Sequence, residues 1–196
     1  MLRLAVAREH PPDWDAYRSV SIAFEVATAI RVTPDARAEG GAALTEAPVC
    51  EPYVKDYDAL EGGVARWSAF YTPDRWGVYV ARIDGERVGG AVVSLEPTIT
   101  AEAVGPARKA CAYLWDIRVA TRWRGAGVGH ELFRAAESWA RDHSCDVLLI
   151  ETQNVNVAAC RFYQRQGCTL IHVDAHAYPS LPDEMQLVWM KQLGSS

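Results

Sequence analysis

The sequence predicts an α/β fold in which a mixed, mainly antiparallel sheet carries helices on both faces. Three observations predict it. Two strand-like runs, 76–83 and 87–95, flank Asp84-Gly85, a favoured two-residue hairpin turn. An apolar strand over 112–120 runs into a glycine loop and then into an amphipathic helix over 127–142, which is a strand–loop–helix unit and not another hairpin. A second antiparallel pair, 170–178 and 185–193, closes the sheet around a proline loop at 179–182.

The other elements follow in order. Residues 2–7 alternate enough for a first strand, and Asp13 is placed to cap a short helix over 14–20. Ile22, Phe24 and Val26 alternate with Ser21, Ala23 and Glu25, and the run reaches Val32, so a strand or a bent strand pair is predicted over 21–32. Residues 33–50 are rich in Ala, Gly and Pro and read as a loop. A helix is predicted over 56–71, interrupted by Gly62-Gly63, and Pro97 and Pro106 mark a loop after the hairpin. The 127–142 helix sets Val128, Leu132, Ala136, Trp139 and Ala140 on one face at the 3.6-residue period. Residues 146–151, with Val-Leu-Leu-Ile at the centre, read as a buried strand. Residues 156–166 read as a helix closed by Gly167 in the C′ position.

With 196 residues, 49% of them apolar, and seven tryptophans, the chain is long enough for one buried core and short for two. A single domain over 1–196 is therefore expected. No apolar run approaches the roughly 18 residues of a membrane span. The opening MLRLAVAREHPPDW reaches charges and prolines too early for a secretory signal. Five cysteines, an odd number with no CxxC pair, point to reduced thiols in the cytoplasm. The five histidines show no ligand spacing with them, so no metal site is expected. A net charge of −5 argues against a nucleic-acid partner. Within 35–61, Asp35, Glu39, Glu46, Glu51, Asp56, Asp58 and Glu61 face only Arg37 and Lys55. That segment is either a solvated surface or a field that attracts a cationic substrate. The tryptophans and the closing hairpin either fill the core or pair two copies into a homodimer.

The stretch AYLWDIRVATRWRGAGVG, residues 112–129, has the order of an anion site. Glycines let successive N–H groups turn toward one point, and the helix N-terminus adds partial positive charge. Arg122 and Arg124 flank it, and a diphosphate is the expected guest. A P-loop needs GxxxxGK[ST], and no Lys-Ser or Lys-Thr follows these glycines. A dinucleotide fingerprint needs GxGxxG, whereas Gly125, Gly127 and Gly129 recur at spacing two. Glu151 lies about where a ribose-binding acid would, but the antiparallel strands before the motif weaken that reading.

Arg124, Gly127 and Gly129 do meet the pattern R-x-x-G-x-G, and here the chain resembles the GNAT family of N-acetyltransferases, which use acetyl-CoA. The resemblance runs from about 76 to 193. It rests on four features in order: the hairpin 76–95, the strand WDIRV at 115–119, the loop and helix 124–142, and residues 156–163 after the next strand. WDIRV, ETQNVNVAACRFYQRQGC and LPDEMQLVWMK are similar to streptothricin acetyltransferases, as is SIAFEV near the N-terminus. Residues 33–75 carry no further matching motif. The resemblance implies that two central strands splay apart and that the ligand binds where they part.

It also implies roles. Backbone amides of Gly125, Ala126, Gly127, Val128, Gly129 and His130 hold the cofactor's pyrophosphate, with Arg124 adding a charge-assisted contact. The pantetheine arm adds like a strand to backbone groups of Ile117, Arg118 and Val119. A bulge in that strand frees an N–H for the developing oxyanion. Tyr163 matches the tyrosine that protonates the departing thiolate; a phenol of ordinary pKa near 10 stays protonated at neutral pH. A core aromatic beside Phe162 is the plainer reading. Asn156 caps a helix, bonds the pantetheine amide, or does both. Asp116 and Glu151 are the best-placed carboxylates to take a proton from the acceptor ammonium, the more so if burial raises their pKa. Arginine pairing of Asp116, loop capping by Glu151 and a water chain are the alternatives. The implied acceptor is a small cationic amine such as a streptothricin-type antibiotic. A polyamine, an aminoglycoside, a protein lysine, or a CoA-binding regulatory module without turnover remain open.

Overall fold

The computed structural model describes residues 2–34, 42–60, 63–96, 99 and 110–194. Pro97 and Pro106 of the expected loop lie outside these residues, as do Asp35, Glu39 and Glu61 of the acidic segment. The chain runs β1 (Leu4–Arg8), α1 (Trp14–Arg18), β2 (Phe24–Pro34), β3 (Ala42–Lys55), α2 (Tyr57–Leu60), a 3₁₀ helix (Gly63–Ala69), β4 (Trp76–Ile83) and β5 (Glu86–Ser94). It continues through β6 (Cys111–Val119), a 3₁₀ turn (Thr121–Trp123), α3 (Val128–Asp142), β7 (Val147–Gln153), α4 (Val157–Arg165), β8 (Thr169–Asp174) and β9 (Gln186–Gln192).

Seven strands form the central sheet in the order β1-β4-β5-β6-β7-β9-β8. Every neighbouring pair is antiparallel except β6–β7. This is the mixed, mainly antiparallel sheet that the hairpins predict. The apolar stripe of α3, from Val128 through Leu132, Phe133 and Ala136 to Trp139, packs with α4 on one face. On the other face α1 and the 3₁₀ helix bring Tyr17 and Val64 against Trp76, Val78 and Val92. The predicted caps form: Asp13 Oδ1 accepts from Ala16 N at 2.9 Å, and Asn156 Oδ1 from Ala159 N at 3.1 Å.

Of the expected loop over 33–50, the described residues 33–34 and 42–50 are strand. Ala42–Lys55 pairs antiparallel with Phe24–Pro34, from Phe24↔Lys55 to Pro34↔Ala42, as a separate two-stranded ribbon. Pro48 sits beside the register shift between Val26 and Thr28, where a missing N–H is tolerated. The ribbon docks through Ile30 N to Asn154 O at 2.9 Å and Asn154 Nδ2 to Ile30 O at 3.2 Å. The predicted 56–71 helix is two short helices. At Gly63 the backbone takes φ +47°, and a Cβ there would meet Asp58 Oδ1 at 2.8 Å, so the chain turns where only glycine fits.

Candidate active site

The glycine loop follows β6 and the 3₁₀ turn. Gly125 and Gly127 hold φ +84° and +85°, and nothing lies within 4 Å of where their Cβ atoms would be. The space over the loop is therefore open. Ala126 N–H is used by the turn, donating to Trp123 O at 3.2 Å. Among the described residues, the amides of Gly125, Gly127, Val128, Gly129 and His130 meet no main-chain acceptor. The first amides of a helix lack internal partners, and its N-terminus carries partial positive charge, so this arrangement fits a diphosphate. Arg124 laces the loop in place: Nε donates to Val119 O at 3.1 Å and Nη2 to Ala23 O at 3.0 Å. Arg122 pairs with Glu86 at the surface, and the His130 ring nitrogen Nδ1 lies 2.8 Å from Gln166 Oε1. The Val128 side chain is buried in the core, leaving its amide to the loop.

The loop lines a cleft of about 800 Å³. The cleft exists because β6 and β7 part. They pair only from Cys111↔Val147 to Leu114↔Ile150, after which β7 continues with β9 alone. Ile117, Arg118 and Val119 thus lie on an edge that lacks a strand partner toward β7, while they still pair with β5 on the other side. Such an edge can hydrogen-bond an extended ligand.

A bulge explains what else β6 presents. Val93 pairs with Leu114 but Val92 with Asp116, so Trp115 is one residue extra. Leu114 packs on the α3 face; the extra residue sends Asp116 and Arg118 to the α1 face. There Tyr17 Oη donates to Asp116 Oδ2 at 2.6 Å. Arg118 Nε and Nη2 reach Asp116 at 2.7 and 3.1 Å, while Nη1 and Nη2 reach Asp58 at 2.8 and 3.2 Å. Arg118 Nη1 also donates to Val20 O at 3.2 Å, and its guanidinium lies 4.9 Å from the Tyr17 ring centroid. Both oxygens of Asp116 are therefore engaged. Desolvation opposes the Arg118 charge, but Asp116 and Asp58 outweigh it and hold its pKa above the usual arginine range.

Glu151 and Tyr163 reach the same cleft from β7 and α4. Tyr178 Oη donates to Glu151 Oε1 at 2.6 Å and accepts from Gln153 Nε2 at 3.0 Å. Burial and the nearby Glu151 carboxylate push the Tyr178 phenol up, so it keeps its proton and remains a donor. Tyr163 is 5% exposed, between Phe162 and Phe133, and burial pushes its pKa well above the ordinary phenol. Asn156 lines the cleft as well as capping α4. Loop, strand edge, Asn156, Glu151 and Tyr163 are thus brought together; Asp116 lines the same cleft, with both its oxygens held in the ion cluster. Tyr17, Asp58 and Tyr178 carry no local mark in the sequence; a cleft-facing role for Asp58 is hinted at only by the surplus of acids around it.

Strands that part beside a helix-opening glycine loop suit an enzyme that transfers acyl groups from a coenzyme A thioester. Residues 42–168 match the Acetyltransferase (GNAT) family, and the chain belongs to it. It is 29% identical over 180 residues to a streptothricin acetyltransferase of Streptomyces lavendulae, covering 89% of this chain and 86% of that protein. It is 35% identical over 80 residues to streptothricin acetyltransferase A of Bacillus subtilis (strain 168), which is 40% of this chain and 46% of that protein. The chain thus spans about half the length of that relative. Nourseothricin acetyltransferase superposes with a TM-score of 0.73 at 27% identity, over 97% of this chain and 99% of that one. The fold is shared, at TM-score 0.78 and 24% identity over the same shares, with a Bacillus anthracis str. Ames protein described as a streptothricin acetyltransferase and solved in complex with acetyl coenzyme A.

Proposed function

We propose that the protein transfers the acetyl group of acetyl-CoA to a primary amine of a small cationic antibiotic of the streptothricin class, and so confers resistance. The observation that carries this reading is the parting of β6 from β7, with the amide-lined loop, Tyr163 and Glu151 all lining the cleft there. The names of the relatives support the acceptor class. Five cysteines, an odd number with no CxxC pair, support a cytoplasmic location, and no helix among the described residues is long and apolar enough to cross a membrane.

When bound, acetyl-CoA supplies an acyl group activated as a thioester. The amides of Gly125 and of Gly127 to His130 hold the diphosphate, and the free edge at Ile117, Arg118 and Val119 aligns the arm, with Asn156 beside it. Glu151 takes a proton from the acceptor ammonium, directly or through one water, and Tyr178 orients that carboxylate. Asp116 is the less suitable base, because Tyr17 and Arg118 occupy both its oxygens. As the amine nitrogen bonds to the acyl carbon and the C–S bond breaks, Tyr163 gives its phenolic proton to the departing sulfur, and the second proton shed by the nitrogen as the amide forms restores the phenol.

The test is free-thiol release from acetyl-CoA across a panel of amines that includes streptothricin, an aminoglycoside and a polyamine. Acceptor-dependent release, fastest with streptothricin, is the expected result. Release with none of them, despite a thermal shift on adding acetyl-CoA, would instead identify a binding module without turnover.

A further inference from the structure

Building on the function proposed above, we infer that the acceptor is selected by a ring it carries, a saturated, sugar-like ring whose C–H face lies on a wall made by Phe70 and Trp67. Charge does not make this choice. The three carboxylates of the cleft, Asp58, Asp116 and Glu151, stand against four arginines. Arg118 holds Asp58 and Asp116 through both oxygens of each, and Tyr178 donates to Glu151. No surplus of negative charge is left to sort one amine from another, so selection falls to packing.

Trp67 lines the cleft and is fixed edge to face by Trp14, Tyr17 and Trp115, with ring centroids 6.0, 6.0 and 6.3 Å away. This cluster belongs to the α1 face of the sheet, across from α3, whose first amides suit the coenzyme's diphosphate. Phe70 N and Tyr71 N both donate to Trp67 O at 2.9 Å, and the Tyr71 ring packs edge to face on Trp14 and Trp76. The backbone that carries Phe70 is therefore tied down on both sides. Its ring is nevertheless 55% exposed, lines the cleft and meets no other aromatic ring among the described residues. An apolar ring held in a fixed place is stabilised when a ligand covers it. The flat C–H face of a saturated ring covers it with little ordering, whereas a flexible chain must first lose its rotamer freedom. Glu151 receives the reacting amine, so the selecting ring and the reacting nitrogen are different parts of one molecule.

Wild-type enzyme, Phe70→Ala and Phe70→Leu are assayed by thiol release with streptothricin, which carries such a ring, and with a linear polyamine of similar charge, at low and high salt. We expect wild-type kcat/KM to favour streptothricin by about tenfold, and the preference to survive added salt, which screens both amines alike. Phe70→Ala should raise the KM for streptothricin about tenfold and leave its kcat, the polyamine's kinetics and the calorimetric affinity for acetyl-CoA unchanged. Phe70→Leu should recover part of that loss. Streptothricin kinetics untouched by Phe70→Ala, or a loss shared equally by the polyamine, would overturn this assignment and leave the proposed function standing. Weakened acetyl-CoA binding would put the ring on the coenzyme and overturn it as well. Absence of thiol release with any amine would overturn the functional reading and this inference with it. Should the variants not fold, the wild-type preference decides: its loss in salt would overturn the assignment.

Discussion

In the proposed mechanism, turnover depends on Tyr163. Replacing it with Phe removes the proton donor and leaves the ring packing of α4 intact, so kcat should fall by about 10²-fold or more, while acetyl-CoA affinity measured by calorimetry stays the same. An unchanged kcat would remove Tyr163 from the mechanism. The sign of its pKa shift gives a second expectation. Burial disfavours the phenolate, the pKa rises, and the proton is retained as the pH passes the ordinary tyrosine value near 10. The kcat–pH profile should therefore show no loss near pH ~10 assignable to Tyr163. Tyr163 and Asn156 were legible in the sequence because they stand at fixed spacing on one helix. Tyr178 and Asp58 were not, because their partners Glu151 and Arg118 lie 27 and 60 residues away. Only the fold brings such pairs together.

At the scale of elements, the bulge in β6 turns one strand into two surfaces. Up to Leu114 it feeds the apolar core; from Asp116 it holds α1 and α2 through Arg118. Removing that guanidinium leaves Asp116 buried and uncompensated, so Arg118→Ala should cost about 3–5 kcal/mol in urea unfolding. A loss under about 1 kcal/mol would show that the cluster does not hold these elements together. The sequence showed this strand clearly, with its helix and both hairpins, because period-2 and period-3.6 patterns are local. The bulge was expected only from the family resemblance, since a one-residue slip is a property of the pairing with β5. The sequence also concealed the ribbon: Ala, Gly and Pro between 33 and 50 mimic a loop, and the pairing of Ala42–Lys55 with Phe24–Pro34 is what overrides that composition. The interrupted helix after Asp56 was half visible, since its glycines mark the break.

For the whole molecule, one topological fact organises the chemistry. A single parallel pair, β6–β7, sits in an otherwise antiparallel sheet, and it is the pair that opens. Arg124 and helix N-terminal amides line the resulting cleft together with Asp58, which is paired with Arg118, and Glu151, which is bonded to Tyr178. The most direct measurement is a crystal structure with acetyl-CoA bound. The account predicts the diphosphate on the amides of Gly125 and of Gly127 to His130, the arm along β6 at Ile117 to Val119, and the sulfur within hydrogen-bonding reach of Tyr163 Oη. A diphosphate seated elsewhere, or a sulfur remote from that phenol, would contradict it.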